Sequence, residues 1–224
     1  MSYQDLLDNQ IIIKGDFTLK SGQKSNFYVD IKKTISIPFL FRDIIKNLKR
    51  QIIRIPMLQS YSIMGVPYAG IPFASVLSFQ LQIPLLLLRK ETKTYGTKKR
   101  IEGETKNKNI ILIEDVMTTG KSIMETIEYL HSQNYRVTHV FTVFQRNPVD
   151  YSIFKTKQIE YNYTIREPIS LQTKLQELIP EHPIYNKLLD IVIQKQSNLY
   201  VYLVHLYHDL HIPNNNYLNL LYTP

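Results

Sequence analysis

Ile110-Ile111-Leu112-Ile113-Glu114-Asp115-Val116-Met117-Thr118-Thr119-Gly120-Lys121-Ser122 is the stretch that decides the fold. Four consecutive aliphatic residues mark a strand covered on both faces, because a half-exposed strand would alternate apolar with polar positions. Two acids end the strand, and a hydroxyl-rich turn with one glycine then opens a helical pattern. Backbone N–H groups at such a helix start, joined by the Thr118, Thr119 and Ser122 hydroxyls, can surround a phosphate, and the helix dipole adds to the attraction. Gly120 lets the backbone approach a ligand closely. Gly-Lys-Ser at 120–122 looks like the end of a nucleotide-triphosphate loop, but that loop requires glycine five positions earlier, where Asp115 stands. The carboxylates suit ribose hydroxyls instead. A carboxylate accepts two hydrogen bonds from a vicinal diol, so Glu114 and Asp115 beside an anion cradle describe a receptor for a sugar phosphate. The bland alternative is a buried strand running into a capped helix.

Working outward, short Ile/Leu/Val-rich runs alternate with longer amphipathic stretches, the rhythm of a parallel sheet covered by helices. The pattern predicts an α/β core with strands over Tyr61 to Val66, Pro84 to Leu88, Asn109 to Glu114 and Arg136 to Phe144. Helices are predicted over Pro38 to Arg54, Ala69 to Gln80 and Gly120 to Gln133. Upstream, Phe17 to Ile31 reads as extended chain interrupted by a turn at Ser21-Gly22-Gln23-Lys24-Ser25, forming a cap on the core. After Asp150 the pattern weakens.

Composition limits the partners. The 224 residues with 44% hydrophobic content allow one catalytic domain, and no cysteine is available for disulfides, thiolate chemistry or cysteine-ligated zinc. That usage fits a reducing compartment, the cytoplasm, and no apolar run approaches the roughly 20 residues that span a bilayer. Neither secretion nor membrane insertion is expected. The net charge of +8 favours an anionic partner. Between Arg89 and Lys108, eight basic residues face three acids, so the excess is concentrated in one loop. Its alternating acids and the lack of an aromatic platform argue against nucleic acid.

The 110–122 segment resembles the phosphoribosyl pyrophosphate (PRPP) motif of the type I phosphoribosyltransferases: four aliphatic residues, two acids, an aliphatic pair, then Thr-Thr-Gly. Three further segments resemble the orotate branch of that family in the right order. These are Gly15 to Asp30 (Gly-Asp-Phe-Thr-Leu-Lys-Ser-Gly-Gln-Lys-Ser-Asn-Phe-Tyr-Val-Asp), Gly65 to Pro72 (Gly-Val-Pro-Tyr-Ala-Gly-Ile-Pro) and Arg89 to Gly103. The resemblance implies a type I phosphoribosyltransferase fold, a central parallel sheet flanked by helices with a small N-terminal hood.

It also implies a set of roles. PRPP would be held by Lys24, Tyr68, Arg89, Lys90, Lys93, Tyr95, Glu114, Asp115, Val116, Met117, Thr118, Thr119, Gly120, Lys121 and Ser122; orotate by Lys24, Phe27, Tyr28, Thr118 and Arg146. Asp115, Lys93 and Lys24 would be catalytic. Arg146 would pair with the orotate carboxylate through its guanidinium fork. The 89–103 loop would close over the substrates and, in a homodimer, reach the neighbouring subunit's site. Magnesium would arrive through PRPP oxygens and water, so no metal-binding residue is assigned. Two departures stand out: Ala69 where some members carry lysine, and Tyr95 where many bacterial members have histidine, which leaves Lys93 the proton-donor role.

The resemblance covers Gly15 to about Glu167, so residues 1–170 are expected to form the phosphoribosyltransferase domain. Residues 171–200 contain a stretch, His182 to Leu199, similar to the opening of the decarboxylase half of bifunctional UMP synthase, and 201–224 read as a poorly ordered tail. No decarboxylase activity is expected from so short a remnant. A phosphoribosyltransferase for another base and a non-catalytic PRPP-binding regulator stay open, although another base would not explain Lys24 with Arg146, and a regulator would not need the basic closing loop.

Overall fold

The computed structural model describes residues 3–18, 22, 24–91, 99–146 and 151–166. Its centre is a six-stranded sheet in the order β5-β4-β3-β6-β7-β8, built from β3 (Tyr61–Gly65), β4 (Leu85–Leu88), β5 (Ile101–Glu102), β6 (Asn109–Met117), β7 (Arg136–Gln145) and β8 (Glu160–Arg166). Neighbours from β4 to β8 pair in parallel, and only β5 runs antiparallel, against β4. This is the mostly parallel α/β sheet of the type I phosphoribosyltransferase fold.

Continuous apolar runs make sense because both faces of the sheet are covered. Along β6, Ile111 and Ile113 join the core on one face, while Ile110 and Leu112 join the core on the other. The first face receives α2 (Pro38–Ile52) and α3 (Ile71–Leu81); the second receives α4 (Lys121–Ser132) and the short α5 (Ser152–Thr156). α2 starts on Pro38, where a missing N–H costs nothing, and turns Leu40, Ile44, Ile45, Leu48 and Ile52 inward at helical spacing. Lys49 and Arg50 sit in its last turn, where cations favour the helix dipole.

The N-terminal part is a helix, α1 (Tyr3–Asp8), and a two-stranded antiparallel hairpin of β1 (Ile12–Thr18) and β2 (Lys24–Val29). The hairpin shares no ladder with the six-stranded sheet. Instead Ile11, Ile12, Phe27 and Val29 plug into the core on the α2 side. A 3-10 segment, Ile31–Ser36, leads from the hairpin to α2 and packs beside β6, with Ile31 and Thr34 fully buried.

The predicted strands and helices are present, with shifts that have local causes. The acids lie inside β6 rather than at its end, because pairing with β7 continues through Val116 opposite Phe144 and Met117 opposite Gln145. α3 begins at Ile71, two residues later than expected, since the turn at Pro67 to Gly70 precedes it. β8 was not foreseen, and neither were β5, α1 and α5. Lys93 and Tyr95, and the whole of 167–224, lie outside the described residues.

Candidate functional site

The site sits at the carboxyl ends of the parallel strands β3, β4, β6 and β7, where loops from neighbouring strands converge. β6 delivers Glu114 and Asp115. Glu114 is only 6% exposed, and its Oε1 accepts the Asp115 backbone N–H at 3.1 Å. Burial first, and then the adjacent Asp115, hold the Glu114 carboxyl well above its ordinary value of 4.5, while the charge of Lys90 pulls the other way.

The sign of that shift gives a testable outcome. Folded Glu114 keeps its proton to higher pH than the unfolded chain does, so folding loses stability as pH rises from the unfolded value through the folded one. Glu114→Gln removes this cost. The variant should melt at the same temperature as the parent near pH 4 and at a higher temperature near pH 8, a difference that thermal melts at the two pH values will show.

Past Met117 the chain turns through Thr118 and Thr119 to Gly120, which has φ +76° and caps α4. That left-handed conformation favours glycine, and a Cβ there would press on Ile153 Cδ1 at 3.1 Å and Met117 Cε at 3.3 Å. Thr119 and Ser122 are exposed and Thr118 half-buried at the start of α4. The Thr119 Oγ1 accepts the Lys121 N–H at 3.4 Å. Lys121 itself points outward, 3.9 Å from Glu125. The Met117 side chain is buried, so its backbone alone is available to a ligand; its carbonyl already accepts the Arg146 N–H at 2.9 Å.

The β3 turn supplies the next rim. Gly65 and Gly70 are there because backbone passes backbone: a Cβ on Gly65 would strike the Gly70 carbonyl carbon, and one on Gly70 the Ile113 carbonyl oxygen. The Pro67–Tyr68 peptide is cis. Tyr68, 63% exposed, lies under the Lys90 ammonium at 4.9 Å, which joins the β3 turn to the residues after β4. Arg89 braces the base of the basic loop: its N–H donates to the Arg100 carbonyl at 2.9 Å, and its guanidinium stands 3.6 Å from Glu102.

Arg146, just after β7, comes together with the hairpin. Its guanidinium lies 4.0 Å over the Phe27 ring and donates to Ser25 Oγ at 2.9 Å. Phe27 and Tyr28 do not form one wall, because successive strand residues face opposite ways. Tyr28 turns to the other side, its ring tilted against Phe17 with centroids 5.7 Å apart. Lys24 donates to Thr18 Oγ1 at 3.0 Å across the hairpin and lines an open cleft of about 450 Å³ with Asp16, Phe17, Ser25 and Asn26. Just past the hairpin, Lys32 lies 3.3 Å from Asp30; neither was given a role from the sequence, where Asp30 only closes the hood segment.

Among the described residues, no cluster of three or more His, Asp or Glu could hold a metal ion. No helix there is long and apolar enough to cross a membrane.

A mostly parallel sheet with an acid pair on its central strand and an anion cradle behind it defines a phosphoribosyl-binding class. The phosphoribosyl transferase domain model matches residues 34–164, more than half of the chain, and the chain belongs to that family. Within it, the chain is similar to the uridine 5'-monophosphate synthase of Caenorhabditis elegans, 41% identical over 64% of this chain and 29% of that protein. It is likewise similar to an orotate phosphoribosyltransferase of the same organism, 37% identical over 64% of this chain and 63% of that one. The chain thus spans less than two thirds of either relative. Its structure resembles the orotate phosphoribosyltransferase of Aeropyrum pernix at TM-score 0.64 and 25% identity, covering 80% of this chain and 98% of that one.

Proposed function

We propose that the chain is a cytoplasmic orotate phosphoribosyltransferase that joins orotate to the ribose 5-phosphate of PRPP, releases pyrophosphate and serves pyrimidine biosynthesis. The observation that carries this reading is the acid pair of β6, Glu114 buried and Asp115 half-exposed, followed by the Thr118–Thr119–Gly120 turn into the N-terminus of α4. Glu114 and Asp115 hold the ribose diol, and Thr118 to Ser122 take the 5-phosphate. Lys90, over Tyr68, and Arg89 take the pyrophosphate with Lys24, and Lys93 and Tyr95, outside the described residues, are assigned to the same group by the family resemblance. Arg146, oriented by Phe27 and Ser25, takes the orotate carboxylate.

The bond from the anomeric carbon to pyrophosphate breaks as the orotate nitrogen forms its own, and positive charge builds on the ribose ring in between. The Asp115 carboxylate lies where that charge develops, and the cations balance the leaving group. Magnesium, brought in by PRPP, would supply charge neutralisation on the pyrophosphate, and among the residues of this site the Glu114 and Asp115 carboxylates are hard oxygen donors suited to it. The 89–103 loop closes the site and, in a homodimer, completes that of the second subunit.

The test is consumption of orotate with PRPP and magnesium, run beside adenine, hypoxanthine and uracil. Orotate alone should react. Arg146→Leu should raise the KM for orotate about ten- to a hundredfold, the worth of a hydrogen bond to a charged group, while the KM for PRPP stays put. Equal use of another base would overturn the assignment.

A further inference from the structure

Two arginines meet where the β4–β5 pair opens toward the site. The register of β3 with β4 ends at Gly65 opposite Leu87, two residues before Arg89, and the backbone of Arg89 is held from the β5 side instead. Its N–H donates to the Arg100 carbonyl at 2.9 Å, and the Arg100 side chain returns the bond, its Nε–H donating to the Arg89 carbonyl at 3.1 Å. These two bonds flank the Arg89 Cα. Together they fix the direction in which the Arg89 side chain leaves the strand end. The Glu102 carboxylate stands 3.6 Å from the Arg89 guanidinium, an ion pair open enough to water to be weak, so the guanidinium stays available to an anion.

Arg100 has a seat of its own. Its guanidinium lies 4.1 Å over the ring of Tyr129, well within cation–π range. Tyr129 stands on α4, half-buried and packed against the core on that face of the sheet, so the seat is part of the body of the protein. A guanidinium suits both tasks at once: its flat side rests on the ring while its Nε–H, which lies in the plane, reaches the Arg89 carbonyl. Arg100 thereby ties the residues after β4 to the helix whose start carries the Thr118–Thr119–Gly120 turn. Lys90 is held differently, over Tyr68 of the β3 turn at 4.9 Å. The two neighbouring cations are thus steadied from opposite sides, one by the β3 turn and one by α4.

We propose that Arg100 is a positioning residue for the pyrophosphate end of PRPP: seated on Tyr129 and bonded to the Arg89 backbone, it aims the Arg89 side chain at the leaving group. This rests on the reading of Arg89 as a pyrophosphate ligand. The need is physical. A long arginine side chain just past a strand end samples many rotamers, and each one that an anion must select against weakens binding. Fixing the Arg89 Cα from both sides removes part of that cost before the substrate arrives. Because the brace is anchored on α4, it also sets the distance between the cation for one end of PRPP and the turn for the other, which a single elongated substrate must span.

The experiment uses the full chain with magnesium and compares the parent with Arg100→Met, Tyr129→Leu, Tyr129→Phe and the double variant Arg100→Met/Tyr129→Leu. Calorimetry measures binding of pyrophosphate and, separately, of ribose 5-phosphate; steady-state kinetics give the KM for PRPP and for orotate. In Arg100→Met the Kd for pyrophosphate and the KM for PRPP should rise about fivefold, the worth of one hydrogen bond, while ribose 5-phosphate affinity and the KM for orotate stay parental. Tyr129→Leu should raise the Kd for pyrophosphate about threefold, as loss of a cation–π seat does, and Tyr129→Phe, which keeps the ring, should match the parent. The double variant should be no worse than Arg100→Met alone, because the two residues act through one brace. Thermal melts check that each variant folds. Parental pyrophosphate affinity in a folded Arg100→Met overturns the proposal, as do equal losses for pyrophosphate and ribose 5-phosphate or strictly additive losses in the double variant. Should the parent bind neither pyrophosphate nor PRPP, the assignment of the whole site falls and this role with it; a parent that binds beside an Arg100→Met that binds equally removes only the role of Arg100.

Discussion

Asp115→Asn is expected to fold as the parent does and to turn over orotate about a hundred- to a thousandfold more slowly, the range for loss of one preorganised electrostatic group at a reacting centre. Asp115 is half-exposed on β6, its backbone N–H bonded to Glu114 Oε1 at 3.1 Å, so the amide fits without disturbing the strand. What is lost is negative charge beside a ribose ring that becomes positive as pyrophosphate leaves. The amide also replaces one diol acceptor with a donor, which faces the ribose hydroxyls with the wrong polarity. The two losses should separate in the kinetics: kcat falls because the charge matters most in the transition state, and the KM for PRPP rises by a smaller factor. A variant with parental steady-state constants would refute the mechanism.

Gly70→Ala should cost about 3 kcal/mol or more of stability, at the upper end of what overpacking does, because the added methyl meets backbone that has nowhere to go. A Cβ there would fall on the Ile113 carbonyl oxygen and 2.8 Å from the Val66 nitrogen. Those two atoms are bonded to each other at 2.8 Å, the link that ties the end of β3 to β6 one residue before Glu114. The methyl must break that link or push the β3 turn outward. Ordinarily alanine gains a little over glycine by restricting the unfolded chain, about 0.4–1 kcal/mol, too little to offset the clash. For a protein of this size the melting temperature should drop by about 6–12 °C, and PRPP affinity should fall with it because Tyr68 rides on that turn and Lys90, which follows β4, sits over its ring. A melting temperature within experimental error of the parent would show that the turn is looser than the contacts indicate.

The sequence exposed the core of the sheet because its inner strands carry aliphatic runs, Ile110 to Ile113 of β6 being buried on both faces. β8 escaped notice for the opposite reason: Glu160-Tyr161-Asn162-Tyr163-Thr164-Ile165-Arg166 is an edge strand whose Ile165 alone is buried, so it looks polar. β5 is two residues long and exists through its pairing with Leu87 and Leu88, a tertiary cause no local pattern contains. At the site, Glu114, Asp115 and the 118–122 turn were readable because they are contiguous. The Arg146–Phe27 stack joins residues far apart in the chain, and only the resemblance to known relatives foretold its parts.

Among the described residues, the hood hairpin packs on the core through side chains and forms no backbone ladder with the main sheet. Such an attachment leaves it a separable part: on the proposed reading, changes at Lys24, Ser25 or Phe27 would retune the choice of nucleobase without rewriting the strand and turn assigned to the sugar phosphate. One chassis could thus diversify into many specificities by mutation at a single, mechanically separate part.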